Sequence, residues 1–178
     1  DETGYIFVFY GGTYAKDLAV GDKVTVTGKT SMYGGAKQFG SNVAYAKTGT
    51  DSSFAQPTAK ALSATEFDAL ATADVEIQYV TLEAELVVSG NYVNLNVNGA
   101  SVTGSIAYAD SDLSEYSGTT VTITGYFIYV SGSTTKYVNV ILTNIEGAEP
   151  QPPVEETVAT TAEVLAGTVG NPYKTTGT

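Results

Sequence analysis

Gly21-Asp22-Lys23-Val24-Thr25-Val26-Thr27-Gly28 and Gly118-Thr119-Thr120-Val121-Thr122-Ile123-Thr124-Gly125 repeat one pattern at a constant offset of 97 positions. In each copy, apolar Val or Ile alternates with Thr, the period-two signature of a strand with one buried and one wet face. Glycine brackets both copies. Each is preceded by an Asp-Leu pair (Asp17-Leu18, Asp112-Leu113) and followed by an aromatic, a glycine-containing turn (Gly34-Gly35; Ser131-Gly132-Ser133) and a last strand. An offset the size of a small domain implies two copies of one fold.

Working outward from the second copy, residues 62–147 read as one complete unit. A short helix over 65–71 leads into strands 75–88, 91–98, 100–108, 119–130 and 136–145, with tight hairpin turns at Gly90-Asn91 and Asn98-Gly99. In 92–98, Val93, Leu95 and Val97 face one way, while Tyr92, Asn94, Asn96 and Asn98 face the other. That alternation is what an antiparallel barrel wall requires. The first unit, 1–48, is incomplete by comparison: a turn at Asp1-Glu2-Thr3-Gly4 runs directly into a strand at Tyr5–Tyr10, without a leading helix or the first two strands. Residues 49–61 are polar and contain Pro57, and 148–156 is rich in Pro and Glu; both read as linkers. The tail 157–178 offers a helix candidate at Thr161–Ala166 and a strand at Tyr173–Thr178, the opening of a further repeat. It is also a strand that one molecule could donate to the 1–48 unit of another, as a strand-swapped homo-oligomer, because an open barrel leaves unpaired edges. The expected fold is all-β: tandem five-stranded antiparallel barrels, each with a short leading helix.

Composition supports this class and narrows the chemistry. Hydrophobic residues make up 43% of the 178, enough for a buried core, and no apolar run approaches the roughly 18 residues of a membrane helix. Cys and His are absent, which removes thiolate chemistry, disulfides, and the commonest general base and transition-metal ligand. All eight basic residues are Lys, so the planar, bidentate grip of Arg on phosphate is missing. The net charge of −11 repels polyanions on average. Within it, 1–48 carries five Lys against four acids, and 49–147 two Lys against eleven. An acidic, cysteine-free chain rich in Thr, Tyr and Asn fits an exported protein, periplasmic or on the cell surface. The sequence opens at Asp1 without Met, so a natural beginning upstream is expected.

The runs D-E-T-G-Y-I-F-V-F (1–9), L-x-V-G-D-K-V-T-V-T-G-K (18–29) and Y-G-G-x-x-Q (33–38) resemble the OB-fold repeats of Bacteroidetes exported lipoproteins. The tail T-A-E-V-L-A-G-T-V-G-N-P-Y-K-T-T-G-T resembles the opening of the next such repeat. The likeness is looser in 62–147, where D-E-T-G and G-D-K are absent. It implies tandem OB-like barrels and export, and it carries over no catalytic residue or cofactor.

OB barrels bind oligonucleotides or sugars on the face of their second and third strands. In the second unit that face presents Tyr92, Asn94 and Asn96 with Ser101, Thr103 and Ser105, suited to sugar hydroxyls or to a protein partner; the bland alternative is an ordinary wet sheet face. In the first unit Tyr5, Phe7 and Phe9 share one strand face. Turned outward near Lys23, Lys29 and Lys37, they would stack single-stranded nucleic acid; turned inward, they would pack against a neighbour, the commoner arrangement. Asp110, Asp112 and Glu115 cluster oxygen ligands that could hold Ca²⁺, although such loop residues more often cap a turn. Glu83 and Glu85 share a strand face at a spacing that glycosidase carboxyls could use, but alternate acids usually mark a solvated wall. The expectation is a non-catalytic binding or scaffold module for glycan or protein, with single-stranded nucleic-acid binding by 1–48 as the alternative.

Overall fold

A computed structural model of the chain describes residues 4–9, 17–72, 74–109 and 111–147. It is mostly β and contains a closed five-strand barrel. The barrel strands are β7 (Gln78–Ser89), β8 (Tyr92–Asn96), β9 (Thr103–Ile106), β10 (Thr119–Ser131) and β11 (Tyr137–Gly147). They pair in the order β7-β8-β9-β11-β10, and β10 returns to β7 to close the wall. All pairings are antiparallel except β9 with β11, which run parallel. Strand positions therefore follow the sequence expectation closely.

Alternation fills the interior. Leu82, Leu86, Leu95, Val121, Ile123, Phe127, Val138 and Val140 are all buried and form one cluster. Each such side chain contributes about 1.5–3 kcal/mol of burial. The helix α1 (Ala64–Leu70) begins one residue before its expected start and plugs this core with Phe67, which has no exposed surface. A capping box fixes its entry: the Ser63 hydroxyl accepts from the Glu66 amide, and the Glu66 carboxylate accepts from the Ser63 amide. The Asp68 carboxylate accepts from the Ser101 and Val102 amides, tying the helix to the β8–β9 connection.

Residues before the barrel form three strand lines. β1 (Phe7–Val8) pairs in parallel with β4 (Ala36–Phe39), β4 pairs with β3 (Thr30–Tyr33) as a hairpin, and β2 (Asp22–Thr27) pairs antiparallel with β5 (Ala44–Thr50). β2 continues through Gly28 into β3, so the three lines repeat the order β9-β11-β10. The registers differ: Val24 lies opposite Lys47 and Thr27 opposite Ala44, whereas Val121 lies opposite Gly147 and Thr124 opposite Asn144, three positions further along than the offset of 97 would place the partner. Gly28, just after β2, and Gly125, inside β10, both sit where the chain leaves no room for a side chain. A side chain on Gly28 would collide with Val43, and one on Gly125 with the Ile141 carbonyl, where the adjoining strand passes close. Among the described residues this first unit does not close into a barrel.

The stretch 49–61, expected as a linker, is more structured than that. β5 continues to Thr50, the Asp51 amide donates to the Gly21 carbonyl, and β6 (Lys60–Ala61) joins β7 as a short parallel strand. The calls on 148–156 and 157–178, and the turn at 1–3, lie outside the described residues.

Candidate functional site

β8 sits between β7 and β9, and its period-two pattern divides Val93 and Leu95, buried, from Tyr92, Asn94 and Asn96, on the outer wall. Tyr92 is 72% exposed at the hairpin tip. Asn94 lies across from Ser105 on β9, and Asn96 lies across from Glu85 on β7. The result is a strip of amide and hydroxyl groups ending in an aromatic ring, with one carboxylate at its border. Ser101 is set apart from it, because its hydroxyl and amide are both engaged by Asp68.

Tyr5, Phe7 and Phe9 occupy a different environment from an open stacking platform. Tyr5 meets the edge of Tyr126 at 5.3 Å between ring centroids; Phe7 stacks on Tyr108 at 5.7 Å, and Phe9 lies against the same ring. On the other side of this seam Tyr33 packs edge-on to Tyr129 at 4.9 Å. The aromatic face of the first unit is thus turned onto the outer wall of the barrel. Burial and the neighbouring Tyr108 hydroxyl raise the pKa of Tyr129, and burial raises that of Tyr126, whose hydroxyl accepts from the Gln56 amide at 2.7 Å. An open, mainly apolar groove of about 410 Å³ runs along the seam between Ile6 and Phe7 on one side and Ile77, Tyr126, Ile128 and Ile141 on the other.

Packing of these aromatics against a neighbour was the commoner arrangement expected from sequence; the wall that receives them was not identified there. Its signal lies in β10, where alternation holds for Val121 and Ile123 but gives way to Tyr126-Phe127-Ile128-Tyr129-Val130. Phe127, Ile128 and Tyr129 are all buried, so both faces of the strand are covered there. A strand buried on two faces reads as a continuous apolar run. Gly34 lets the parts approach. Its φ of +54° suits glycine, its carbonyl accepts from the Val130 amide at 3.0 Å, and a side chain there would strike the Val130 carbonyl.

The remaining candidates separate. Asp112 accepts from the Ser114 amide at 2.9 Å, which lowers its pKa and ties it to the short 3-10 turn Ser114–Tyr116, while Glu115 is exposed on that turn. Asp110 lies outside the described residues, and no group of three acidic, His or Cys side chains with metal-binding geometry occurs among those described. Glu83 and Glu85 are exposed on the outside of β7, opposite Thr122 and Thr120, on an open wall. No helix among the described residues is long and apolar enough to cross a membrane. Comparison with protein-family models and with curated proteins returned no match to this chain.

Proposed function

We propose that the chain is a non-catalytic, exported binding and scaffold module built from tandem OB-like units, akin to the repeats of Bacteroidetes exported lipoproteins, and that its outer β8 face takes a hydroxyl-rich ligand such as a glycan. The observation that carries this reading is the exposed Tyr92 ring beside Asn94, Asn96 and Ser105. In an OB barrel these belong to the second and third strands, where ligands dock. Amides and hydroxyls can donate to and accept from sugar hydroxyls, and an exposed tyrosine offers a flat surface for a ring. The strand order β7-β8-β9-β11-β10, and the parallel pairing of β1 with β4 that parallels that of β9 with β11, support the tandem OB-like reading.

The nucleic-acid alternative draws no comparable support. Its stacking residues, Tyr5, Phe7 and Phe9, are occupied by Tyr126 and Tyr108. Glu85 borders the remaining polar face, where it would oppose a phosphate backbone. Catalysis by Glu83 and Glu85 would need a cleft between facing carboxyls, and the pair stands on an open wall.

The test is titration of the chain with a panel of soluble polysaccharides. Binding to at least one is expected, with affinity falling at least about fivefold, roughly 1 kcal/mol, in Tyr92→Ala. Binding to none, or unaltered binding by the variant, would remove the β8 face as the site.

A further inference from the structure

We propose, resting on the glycan reading of the β8 face, that this face is one end of a longer track that crosses β9 onto β11. Tyr137 is the track's second aromatic platform, and its ligand is an extended, uncharged oligosaccharide. β11 alternates as β8 does. Val138 and Val140 are fully buried in the core, which turns the half-buried Tyr137 to the outer wall. Register then sets its place. Asn94 lies opposite Ser105 and Leu95 opposite Gly104, so Asn96 comes level with Thr103; Thr103 in turn lies opposite Tyr137. One row across three neighbouring strands therefore runs Asn96, Thr103, Tyr137. Tyr92 stands at the other end of β8, so the two rings mark opposite corners of one polar wall.

Tyr137 is held in place by its own hairpin. The buried Asn139 amide donates to the Tyr137 carbonyl and to the Ser131 hydroxyl, each at 2.9 Å. Gly132 has a φ of +85°, and a side chain there would meet the Tyr137 ring at 3.4 Å, so the ring lies against a bare turn. Unlike Tyr126 and Tyr129, Tyr137 packs on no other ring among the described residues. A platform fixed in advance spares the ligand part of the ordering cost of binding. The spacing sets the ligand's length. Four residues along β8 and two strand spacings across put the Cα atoms of Tyr92 and Tyr137 about 17 Å apart, more than a mono- or disaccharide reaches. Charge sets its class. Asn94, Asn96, Thr103 and Ser105 are neutral, and the charges bordering them, Glu85 level with Asn96 and Lys136 next to Tyr137, are of opposite sign. Neither an acidic nor a basic polymer is favoured along such a strip. A chain long enough to touch both rings makes its second contact intramolecularly, so affinity climbs with ligand length until the span is reached.

The test is calorimetric titration of the full chain, Tyr92→Ala and Tyr137→Ala with xylan, mannan and laminarin, with the disaccharide, tetrasaccharide and hexasaccharide of each, and with polygalacturonate. For at least one neutral series the hexasaccharide is expected to bind at least about tenfold more tightly than the disaccharide, and polygalacturonate more weakly than the neutral polymer. Tyr137→Ala is expected to lower hexasaccharide affinity at least about fivefold while leaving disaccharide binding unchanged, which also shows that the variant folds. A hexasaccharide that binds no more tightly than the disaccharide, a Tyr137→Ala variant that weakens every length alike or none, or polygalacturonate binding as tightly as the neutral polymer overturns the track and leaves the β8 face standing. Binding to none of these glycans overturns both.

Discussion

Asp22 stands at the start of β2 with the Lys47 ammonium 2.8 Å away, the Ala19 amide donating to it at 2.9 Å and the Thr50 hydroxyl at 2.8 Å. These partners, Lys47 first, hold its pKa at about 2, below its ordinary 3.8. Glu66 is held at about 2 in the same way, by the Ser63 amide first and then by Lys60. A carboxyl whose folded pKa is depressed stabilises the fold above its unfolded pKa, and that contribution is lost as pH falls toward the folded value. Thermal stability is therefore expected to drop between about pH 4.5 and pH 2, and Asp22→Asn should flatten part of that drop while lowering stability at pH 6. Melting curves followed by circular dichroism at a series of pH values check this; a variant with the parent's pH profile would show that Asp22 is not ion-paired in solution. The sequence displays Asp22 only as part of a Gly-Asp-Lys turn. Its partner Lys47 lies 25 positions away, and nothing local announces that pairing.

At the level of elements, strands were the legible part. The alternation of Val93 and Leu95 with Tyr92, Asn94 and Asn96 locates β8 and orients both faces, and the repeated V-T-V/I-T-G locates β2 and β10. The helix was legible as a short segment before the first barrel strand, but its start at Ala64 and the capping box of Ser63 with Glu66 were not. What pattern alone did not show was the second burial surface on β10, since a run such as Tyr126-Phe127-Ile128-Tyr129 looks the same whether its outer side meets solvent or a neighbour. The β8 face was legible as a polar wall, but the engagement of Ser101 by Asp68 depends on the helix position and was not. The helix is short, so its worth lies in Phe67, which seals the barrel end. Phe67→Ala should cost about 3–5 kcal/mol by leaving a cavity, read from denaturant unfolding. A cost below about 1 kcal/mol would mean that the barrel core closes without the helix.

Across the whole described region, two kinds of cohesion meet. The barrel is held by its own closed hydrogen-bond wall and apolar interior, whereas the first unit leans on it through the aromatic seam of Phe7, Tyr33, Tyr108 and Tyr129. Tyr129 is 8% exposed and central to that contact. Tyr129→Ala is expected to speed hydrogen exchange in β1 to β5 by at least about tenfold while β7 to β9 keep most of their protection; uniform loss of protection in both regions would show that they unfold as one unit. The central claim is that the described strands of 4–50 and 100–147 are arranged in the same order, each with one parallel pairing. Cross-strand nuclear Overhauser contacts in the full chain test it most directly. The account predicts contacts of a parallel pairing between Phe7-Val8 and Gln38-Phe39, together with antiparallel contacts of Val24 with Lys47 and of Val121 with Gly147. An antiparallel β1, or a β2 paired with any strand other than β5 in that register, would contradict it.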